Sequence, residues 1–393
     1  MGALSKQMEA VITAMGNFAS FGTDDALWEA LRRPESCDFM FGNPHEPASQ
    51  AYVDALVRGA QPTGKDHYAY TQDLPQATEA IAVGLRDRLA LPFGADDIHM
   101  TNGNFSGLAI ALRTVVDPGD EVIFVSPPWF FYETLIVASG ATPVRVFADR
   151  ERSFDLDLEA IEAAITPRTR AIIINSPHNP SGRIYGPQLL TDLATLLETA
   201  SVRNDRRIFL LSDEAYNRIV FQGHTFTTPV AYYPHSFLLY TYAKTLLAPG
   251  SRLGYLATPP GMPEADELRV GLLIGQITYG WAFPVSLLQH AVPDLETMSV
   301  DLTSLQRRRD LLVSTLREQG YDAVEPEGTF YIIVRSPLED DRRFCELLAS
   351  HDVFVLPGAM FEMPGWFRIS ITASDDMCER ALPGFAKAIA EAR

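Results

Sequence analysis

The 393-residue sequence has little cysteine and no sign of a disulfide framework. Its three cysteines, Cys37, Cys345 and Cys378, lie far apart in the chain. An odd number of widely spaced cysteines favours a reducing compartment. The sequence also lacks any apolar run that approaches the roughly 20 residues of a membrane-spanning helix. We therefore expect a cytoplasmic protein without a membrane partner.

Positive charge is scarce as well. Lys and Arg total 32 against 50 Asp and Glu, so the formal net charge is −18. Because a protein that binds the phosphate backbone normally carries the opposite charge, we expect no nucleic-acid partner. No G-x-G-x-x-G follows a strand and no G-x-x-x-x-G-K-[ST] occurs, which argues against two common nucleotide sites. The eight histidines never stand four residues apart, so no local zinc site is expected.

Apolar residues make up 47% of the chain, enough for a large core. Five short runs are almost continuously apolar, which is typical of strands buried on both faces. They cover residues 121–125, 171–175, 207–212, 236–241 and 253–257. Segments with helical spacing lie between them, so the alternation predicts an α/β domain with a mostly parallel sheet. After about residue 289 a long charged helix pattern and then short strands replace this alternation, which predicts a smaller α+β domain. The N-terminal residues are expected to pack with that domain.

Four polar clusters fall where strands of the predicted sheet should end. They are residues 101–107 (TNGNFSG), 175–182 (NSPHNPSG), 212–216 (SDEAY) and 241–252 (TYAKTLLAPGSR). Each alone has an ordinary explanation, as a helix cap, a turn, a surface carboxylate pair or a surface lysine. In an open α/β sheet, however, the carboxyl ends of the strands form the ligand crevice. Their shared position therefore indicates one ligand site.

The first and fourth clusters suit a phosphate and an aldehyde. A glycine turn at a helix start offers free backbone N–H groups, and Thr241 and Arg252 add a hydroxyl and a guanidinium. Lys244 follows an apolar strand and precedes a second cation, a setting that suits a lysine reacting as an amine with a carbonyl.

The other two clusters suit an aromatic ring. Asp213 can meet a protonated ring nitrogen, and Asn179 and Tyr216 can meet a phenolic oxygen. A phosphate, an aldehyde, a ring nitrogen and a phenolic oxygen belong to one cofactor, pyridoxal 5′-phosphate.

The runs NSPHNPSG, SDEAY and T-Y-A-K-x7-R occur in the order and approximate spacing of the class I/II aminotransferases. The sequence resembles this family of fold-type-I pyridoxal-phosphate enzymes over almost the whole chain. The resemblance implies an aminotransferase that moves an amino group between an L-amino acid and a 2-oxo acid. It also implies a large cofactor-binding domain at residues 48–288 and a small domain from both chain ends, residues 1–47 and 289–393.

By this resemblance the catalytic residues are Lys244, Asp213 and Tyr216. Lys244 forms the Schiff base with pyridoxal phosphate and moves the proton, and Asp213 keeps the ring nitrogen protonated. Asn179 and Tyr216 hydrogen-bond the phenolic oxygen. The phosphate is bound by the backbone of Gly103, Asn104 and Phe105 and by the side chains of Thr241 and Arg252.

Two aromatic positions match the family too. Trp129, in the run PPWF, matches the residue that stacks on the cofactor ring. Tyr68 matches the tyrosine that reaches the phosphate in the neighbouring subunit, which implies a homodimer with shared active sites. Tyr70 is a rival for this role, because Asp73 stands where the family usually has glycine.

Arg368 matches the family arginine that binds the substrate α-carboxylate. A guanidinium suits this task because it can bind a carboxylate through two parallel hydrogen bonds. The resemblance adds Gly42 and Asn179 as supporting contacts.

The sequence departs from the family in two places. Ala243 stands before the lysine where the family often has serine, so one phosphate contact is missing. Residues 277–284 (ITYGWAFP) match a loop that carries a second arginine in dicarboxylate-specific members, yet this loop has none. It offers Tyr279, Trp281 and Phe283 instead, which favours an aromatic or neutral apolar donor.

Other functions stay open on the sequence alone. The same site could serve a cysteine-conjugate β-lyase or a pyridoxal-phosphate-dependent amino-acid oxidase, because these reactions begin in the same way. A non-catalytic, cofactor-binding regulatory protein is a further alternative, which the intact lysine, aspartate and arginine disfavour.

Overall fold

A seven-stranded sheet lies at the centre of the computed structural model, which describes residues 3–16 and 25–393. The strands, in chain order, are β1 (Cys37–Asp38), β2 (Ile98–Thr101), β3 (Glu121–Ser126), β4 (Thr142–Phe147), β5 (Thr169–Asn175), β6 (Phe209–Asp213), β7 (Ser236–Thr241), β8 (Gly254–Ala257), β9 (Tyr331–Arg335), β10 (Val353–Phe354), β11 (Leu356–Pro357) and β12 (Trp366–Ser370). The central sheet has the order β2-β8-β7-β6-β5-β3-β4. Its strands are parallel except β8, which runs antiparallel to both neighbours.

Helices cover both faces of this sheet and form much of the rest of the chain. They are α1 (Lys6–Met15), α2 (Asp25–Leu31), α3 (Gln50–Gly59), α4 (Pro75–Leu89), α5 (Asn104–Val115), α6 (Tyr132–Ala138), α7 (Leu158–Ala164), α8 (Pro187–Arg203), α9 (Tyr242–Thr245), α10 (Ala265–Thr278), α11 (Ser286–Leu295), α12 (Leu302–Glu318), α13 (Asp341–Ala349) and α14 (Asp375–Ala392). The predicted α/β class with a mostly parallel central sheet is confirmed.

Strand β5 shows why the central strands are apolar throughout. Successive side chains of a strand point to opposite faces. Ile172 and Ile174 therefore share a core with Leu193 of α8, whereas Ile173 shares the opposite core with Leu108 of α5. Both faces are buried, so neither needs polar residues.

The sequence did not predict β2 and β4, the two end strands of the sheet. Strand β4 has partners on one side, and Thr142, Arg145 and Phe147 along it are exposed. Strand β4 therefore lacks the continuous apolar run by which the other strands were recognised, and β2 has only four residues, one of which is His99.

A smaller sheet stands apart from the central one, with the order β11-β12-β9 and antiparallel pairing. Strand β1 pairs with β10, with Cys37 opposite Val353, so both ends of the chain contribute to this smaller α+β part. The boundaries at residues 48 and 288 stay a prediction, and residue 288 falls inside α11. Within the described ranges, no helix is long and apolar enough to cross a membrane.

Candidate active site

A cavity of about 550 Å3, including its open mouth, lies at the carboxyl ends of the central strands. It is lined by Asn104, Phe105, Trp129, Asn175, Asn179, Asp213, Ala215, Tyr216, Thr241, Ala243, Lys244, Pro249 and Arg252. All four polar clusters of the sequence therefore meet in one place.

Asp213, the last residue of β6, is buried at the bottom of the cavity. Its Oδ1 accepts a hydrogen bond from Asn104 Nδ2 at 2.6 Å, and its Oδ2 accepts one from the Tyr132 hydroxyl at 2.5 Å. Burial raises the pKa of Asp213, while hydrogen bonds from Tyr132, the Ala215 backbone and Asn104 oppose the rise. These donors stabilise the charged carboxylate that a ring nitrogen would meet.

Tyr132 is a site residue that the sequence did not reveal, and Asn104 has a side-chain contact beyond the predicted backbone role. One signal for Tyr132 was available. It stands three residues after Trp129, and the two rings touch edge to face with centroids 5.5 Å apart. The Tyr132 backbone N–H donates to the Trp129 carbonyl at 3.1 Å, so the turn before α6 brings the two side chains together.

The turn after β5 is fixed by its own amide groups. Asn175 donates from Nδ2 to the Asp213 carbonyl at 2.8 Å, and its Oδ1 accepts from the Asn179 backbone N–H at 2.7 Å. His178 is buried beside them, and its Nε2 donates to the Pro127 carbonyl at 3.0 Å. Burial lowers the pKa of His178 to about 4, so this side chain is neutral at pH 7 and holds the turn in place.

Arg368 is buried on β12, at 2% exposure. Its Nη1 donates to Asn179 Oδ1 at 2.9 Å and its Nη2 to the Met40 carbonyl at 3.1 Å. Its guanidinium carbon lies 3.9 Å from the ring centroid of Tyr331. Its Nε is buried without a hydrogen-bond partner among the described residues. A buried cation with an unsatisfied donor suits an anionic ligand such as a carboxylate.

Lys244, in the short helix α9, lies against an aromatic wall. Its Nζ is 5.9 Å from the ring centroid of Tyr216 and 5.7 Å from that of Phe330. The rings of Tyr216 and Tyr331 lie edge to face, with centroids 6.0 Å apart. Burial opposes ionisation of Tyr331, but Arg368 and Lys244 outweigh it and lower its pKa. Tyr331 therefore belongs to the site, although no role was predicted for it from the sequence.

Gly42 lies where a side chain would not fit. A Cβ at this position would be 2.5 Å from Phe330 Cε2 and 2.8 Å from the Tyr331 hydroxyl oxygen. Because Tyr331 stacks on Arg368, Gly42 lies near the predicted α-carboxylate site. Glycine thus leaves the backbone close to the place where a substrate would bind.

The predicted phosphate residues lie together at the starts of two helices. Gly103 precedes α5 with φ +82°, and a Cβ there would be 3.1 Å from Arg252 Nη2. Thr241 caps α9 by accepting from the Ala243 backbone N–H at 3.2 Å. Arg252 donates to the Pro249 carbonyl at 3.2 Å and stays half-exposed at the cavity wall. Backbone N–H groups of a helix start beside a guanidinium suit an anion.

Tyr68 and Tyr70 do not line the cavity of this single chain. Tyr68 is 56% exposed and Tyr70 is 100% exposed. The Tyr68 hydroxyl donates to the Ala60 carbonyl. Their roles stay a prediction that requires a second chain.

A family model described as "Aminotransferase class I and II" matches residues 37–385. The chain belongs to this aminotransferase family. The predicted family and enzyme class are confirmed, and the protein is a pyridoxal-phosphate-dependent aminotransferase.

Named relatives are similar over most of the aminotransferase chain. The aspartate/prephenate aminotransferase of Thermus thermophilus is 31% identical over 351 residues, which are 87% of this chain and 88% of that protein. The crystal structure of an amino transferase from Eubacterium rectale has a TM-score of 0.90 at 30% identity and covers 100% of this chain and 99% of its own. The Thermus thermophilus aspartate aminotransferase with maleate has a TM-score of 0.82 at 27% identity, with coverages of 99% and 100%.

The residues of this aminotransferase fit the cofactor on which its family depends. Asp213 offers a buried carboxylate, and Lys244 offers an amine in the same cavity. Asn104 Oδ1 is buried without a hydrogen-bond partner in the described part of the chain, so this oxygen can accept a hydrogen bond from a ligand. In that same part, no group of three or more His, Cys, Asp or Glu could hold a metal ion.

Proposed function

We propose that the enzyme transfers an amino group between an L-amino acid with an aromatic or neutral apolar side chain and a 2-oxo acid, with Lys244 forming a Schiff base to pyridoxal phosphate. The observation that carries the proposal is the contact set of Asn179. Its side chain accepts from Arg368, and its backbone is held by Asn175, which also binds the Asp213 carbonyl. The carboxylate-binding cation and the ring-binding carboxylate thus share one hydrogen-bonded network.

Each residue then has a task that its surroundings support. When bound, the cofactor supplies an electron sink for negative charge at the substrate α-carbon. The Asp213 carboxylate, buried and held by two side-chain donors, keeps the ring nitrogen protonated. With the cofactor bound, Lys244 would take the proton from the substrate α-carbon and return it to the former aldehyde carbon of the cofactor. Tyr216 and Asn179 would bind the phenolic oxygen. Arg368 holds the substrate by its α-carboxylate.

The phosphate is proposed to lie at the start of α5. Gly103, Asn104 and Phe105 offer backbone N–H groups there, and Thr241 and Arg252 lie next to them. Trp129 lines the same cavity and is proposed to stack on the cofactor ring.

The donor preference rests on the aromatic residues at the cavity. Phe105 and Trp129 both line it, with ring centroids 5.0 Å apart, and Phe131 lies 5.2 Å from Trp129. At residues 277–284 the rings of Tyr279 and Trp281 are 5.5 Å apart, and no arginine occurs in this loop. The relatives named for aspartate would point to a dicarboxylate, which needs a second cation to bind its distal carboxylate.

A second copy of the chain is the proposed partner. Helix α10 exposes Val270, Ile274 and Ile277 on one face, and the exposed Tyr279 follows it. An apolar stripe of this kind is typical of a surface that meets another protein. A homodimer would cover it and give Tyr68 a neighbouring active site. The three free cysteines, all buried, support a cytoplasmic location.

The test uses the purified enzyme and a Lys244→Ala variant. A half-reaction with amino acid alone should convert the bound cofactor to pyridoxamine phosphate and release a 2-oxo acid. The Lys244→Ala enzyme should lose this conversion by a factor of about 10⁴ or more, because it lacks the amine that moves the proton. Wild-type turnover by Lys244→Ala would contradict the proposal. Release of pyruvate and ammonia would favour a β-lyase, and consumption of O₂ would favour an oxidase. Absence of reaction with every donor would favour a non-catalytic protein.

A further inference from the structure

Arg368 differs from two other buried arginines in the groups that hold it. Arg308 Nη2 lies 2.9 Å from Glu46 Oε1, and Arg309 Nη2 lies 2.6 Å from Asp310 Oδ1, so each of these cations has a carboxylate partner. Arg368 donates instead to two neutral oxygens, one of a side-chain amide and one of a backbone carbonyl. Burial lowers the pKa of Arg368, and the groups that oppose this effect are tyrosines, not carboxylates. Within the described residues, its positive charge is therefore not neutralised by an acidic side chain.

The Tyr331 ring covers the Arg368 guanidinium. Arg368 of β12 stands opposite Ile333 of β9, and Tyr331 stands two residues before Ile333, on the same face of the sheet. Diagonal neighbours on one face of an antiparallel pair are within reach of long and aromatic side chains. This pairing brings the ring centroid of Tyr331 to 3.9 Å from the Arg368 guanidinium carbon.

The Tyr331 ring is itself held by its neighbours. Its hydroxyl oxygen lies next to the Gly42 backbone, since a Cβ on Gly42 would be 2.8 Å from that oxygen. The Phe330 ring has its centroid 4.9 Å from that of Tyr331, and the Tyr216 ring meets it edge to face. Tyr331 is 3% exposed. A ring packed in this way offers the guanidinium a rigid surface.

The uncharged face of this ring suits a cation that has to bind an anion. An aromatic face attracts a guanidinium through its π-electrons and carries no net charge. A carboxylate in the same place would neutralise Arg368 and repel the carboxylate of a ligand. The ring leaves the charge of Arg368 uncompensated, and Arg368 Nε is buried without a hydrogen-bond partner in the described part of the chain. Both features favour an anionic ligand.

We infer that Tyr331 is the positioning residue of the α-carboxylate site, because the face of its ring orients the Arg368 guanidinium without neutralising it. This inference rests on the proposed function, in which Arg368 binds the substrate α-carboxylate. The ring face, and not the hydroxyl, performs this task.

The test measures how well the holoenzyme discriminates an anion from a neutral ligand of the same shape. 3-Phenylpropanoate has a carboxylate and a ring but no amino group, so it cannot be a donor, and 3-phenylpropanamide is its uncharged counterpart. Calorimetry gives the ratio of the two affinities. Tyr331→Leu should lower this anion-to-amide ratio about tenfold, because the guanidinium loses the surface that orients it. Tyr331→Phe should keep the wild-type ratio, because it keeps the ring face.

Phe367→Leu is the matched control for a loss of packing. It removes a buried ring from β12, where Phe367 packs against Phe344 and Phe385. A general loosening of the sheet β11-β12-β9 would act in this variant too, so its anion-to-amide ratio should remain that of wild type. If Tyr331→Leu does not fold, Tyr331→Met takes its place, because the longer methionine side chain adapts better to the space left by the ring.

Steady-state kinetics with L-phenylalanine gives an independent readout. The contact with the α-carboxylate exists both in the bound substrate and in the transition state. Its loss should therefore raise KM more than it lowers kcat. We expect Tyr331→Leu to raise KM about tenfold, with a smaller change in kcat.

Several results would overturn the inference. An equal loss of affinity for both ligands in Tyr331→Leu, or a fall of the ratio in Phe367→Leu, would give Tyr331 a structural role only. A fall of the ratio in Tyr331→Phe as large as that in Tyr331→Leu would assign the effect to the hydroxyl. A wild-type enzyme that does not prefer the anion would also contradict it. If wild type accepts no amino acid at all, the proposed function fails, whereas the two ligands still test the effect of Tyr331 on Arg368.

Discussion

The inner side of the active-site cavity is held together by hydrogen bonds within one chain, whereas its outer side presents groups that are exposed. We define the inner side by Asn104, Tyr132, Asn179, Asp213 and Arg368, all of which are buried. We define the outer side by Arg252, which lines the cavity, and by Tyr68, Tyr70 and residues 277–280, which are exposed and do not line it in the single chain. At Asp213 two side chains donate to one carboxylate, whereas the Tyr70 side chain is fully exposed.

This difference in burial suggests that the two sides of the cavity have different functions. A buried network holds charges and dipoles in place before substrate arrives, and catalysis gains most from such preorganised electrostatics. An exposed group can bind a ligand tightly only when another surface covers it. We therefore expect changes on the inner side to affect the reaction rate, and changes on the outer side to affect how well the cofactor is retained.

Among changes on the inner side, the largest effect is expected for Asp213→Asn. The amide keeps the size of the side chain but loses the charge that keeps the ring nitrogen protonated, so kcat should fall about 10³-fold. Cofactor content after dialysis should change little. Rapid kinetics of the half-reaction and absorbance of the bound cofactor measure the two quantities. A variant with wild-type kcat would remove Asp213 from the catalytic set.

The carboxyl of Glu214, next to Asp213 in the chain, is expected to affect the free energy of unfolding. Glu214 is fully buried, and burial raises its pKa to about 7, against hydrogen bonds from Thr228, Asn217 and Ser212. In the unfolded chain the pKa of the Glu214 carboxyl would be near 4.5. The protonated Glu214 side chain therefore makes its full contribution to the free energy of unfolding below pH 4.5, and this contribution is lost as the pH rises through 7. The loss amounts to about 3 kcal/mol.

Glu214→Gln should therefore flatten the dependence of the free energy of unfolding on pH between about pH 5 and about pH 8. Urea unfolding at several pH values measures it. The surface variant Glu162→Gln should keep the wild-type slope. An unchanged slope in Glu214→Gln would mean that Glu214 is already ionised at pH 5 in the folded protein.

Next in size is Tyr132→Phe, which removes the hydroxyl that donates to Asp213. A hydrogen bond to a charged group contributes about 2 kcal/mol, so kcat should fall roughly 30-fold. The pKa of Asp213, already raised by burial, should rise further because one opposing donor is lost. Activity on acidification should therefore disappear at a higher pH than in wild type.

Tyr185→Phe is the matched control for this variant. It removes a buried hydroxyl that has no hydrogen-bond partner in the described part of the chain. Its pH–rate profile should follow that of wild type. A shift of the same size in both variants would attribute the effect to general loosening of the core.

Tyr132 also shows where the sequence reaches its limit. The strand runs and the three motifs predicted the α/β fold and the family, and Lys244, Asp213 and Asn179 meet in one cavity as expected. Tyr132 and Asn104 reach Asp213 across 81 and 109 residues of chain. No local spacing encodes such contacts, because they depend on how β6 and the helices pack. Likewise, the pairing of Arg145 with Glu362 follows from the fold and not from any motif.

The smallest effect is expected on the outer side, where two tyrosines compete for one role. If Tyr68 reaches the phosphate of the neighbouring subunit's cofactor, Tyr68→Phe should weaken cofactor binding about fivefold, the value of one hydrogen bond of about 1 kcal/mol. Its kcat at saturating cofactor should stay at the wild-type value, in contrast to Tyr132→Phe. Tyr70→Phe should leave both quantities unchanged.

Release of the cofactor on dilution, measured by its absorbance, distinguishes the two tyrosines. A loss of affinity confined to Tyr70→Phe would assign the contact to Tyr70, in accord with the altered glycine position at Asp73. A loss of kcat in Tyr68→Phe at saturating cofactor would mean that the outer side also acts on the reaction itself. The distinction between the two sides would then be wrong, because Tyr68, which is exposed in one chain, would affect kcat as the buried residues of the inner side do.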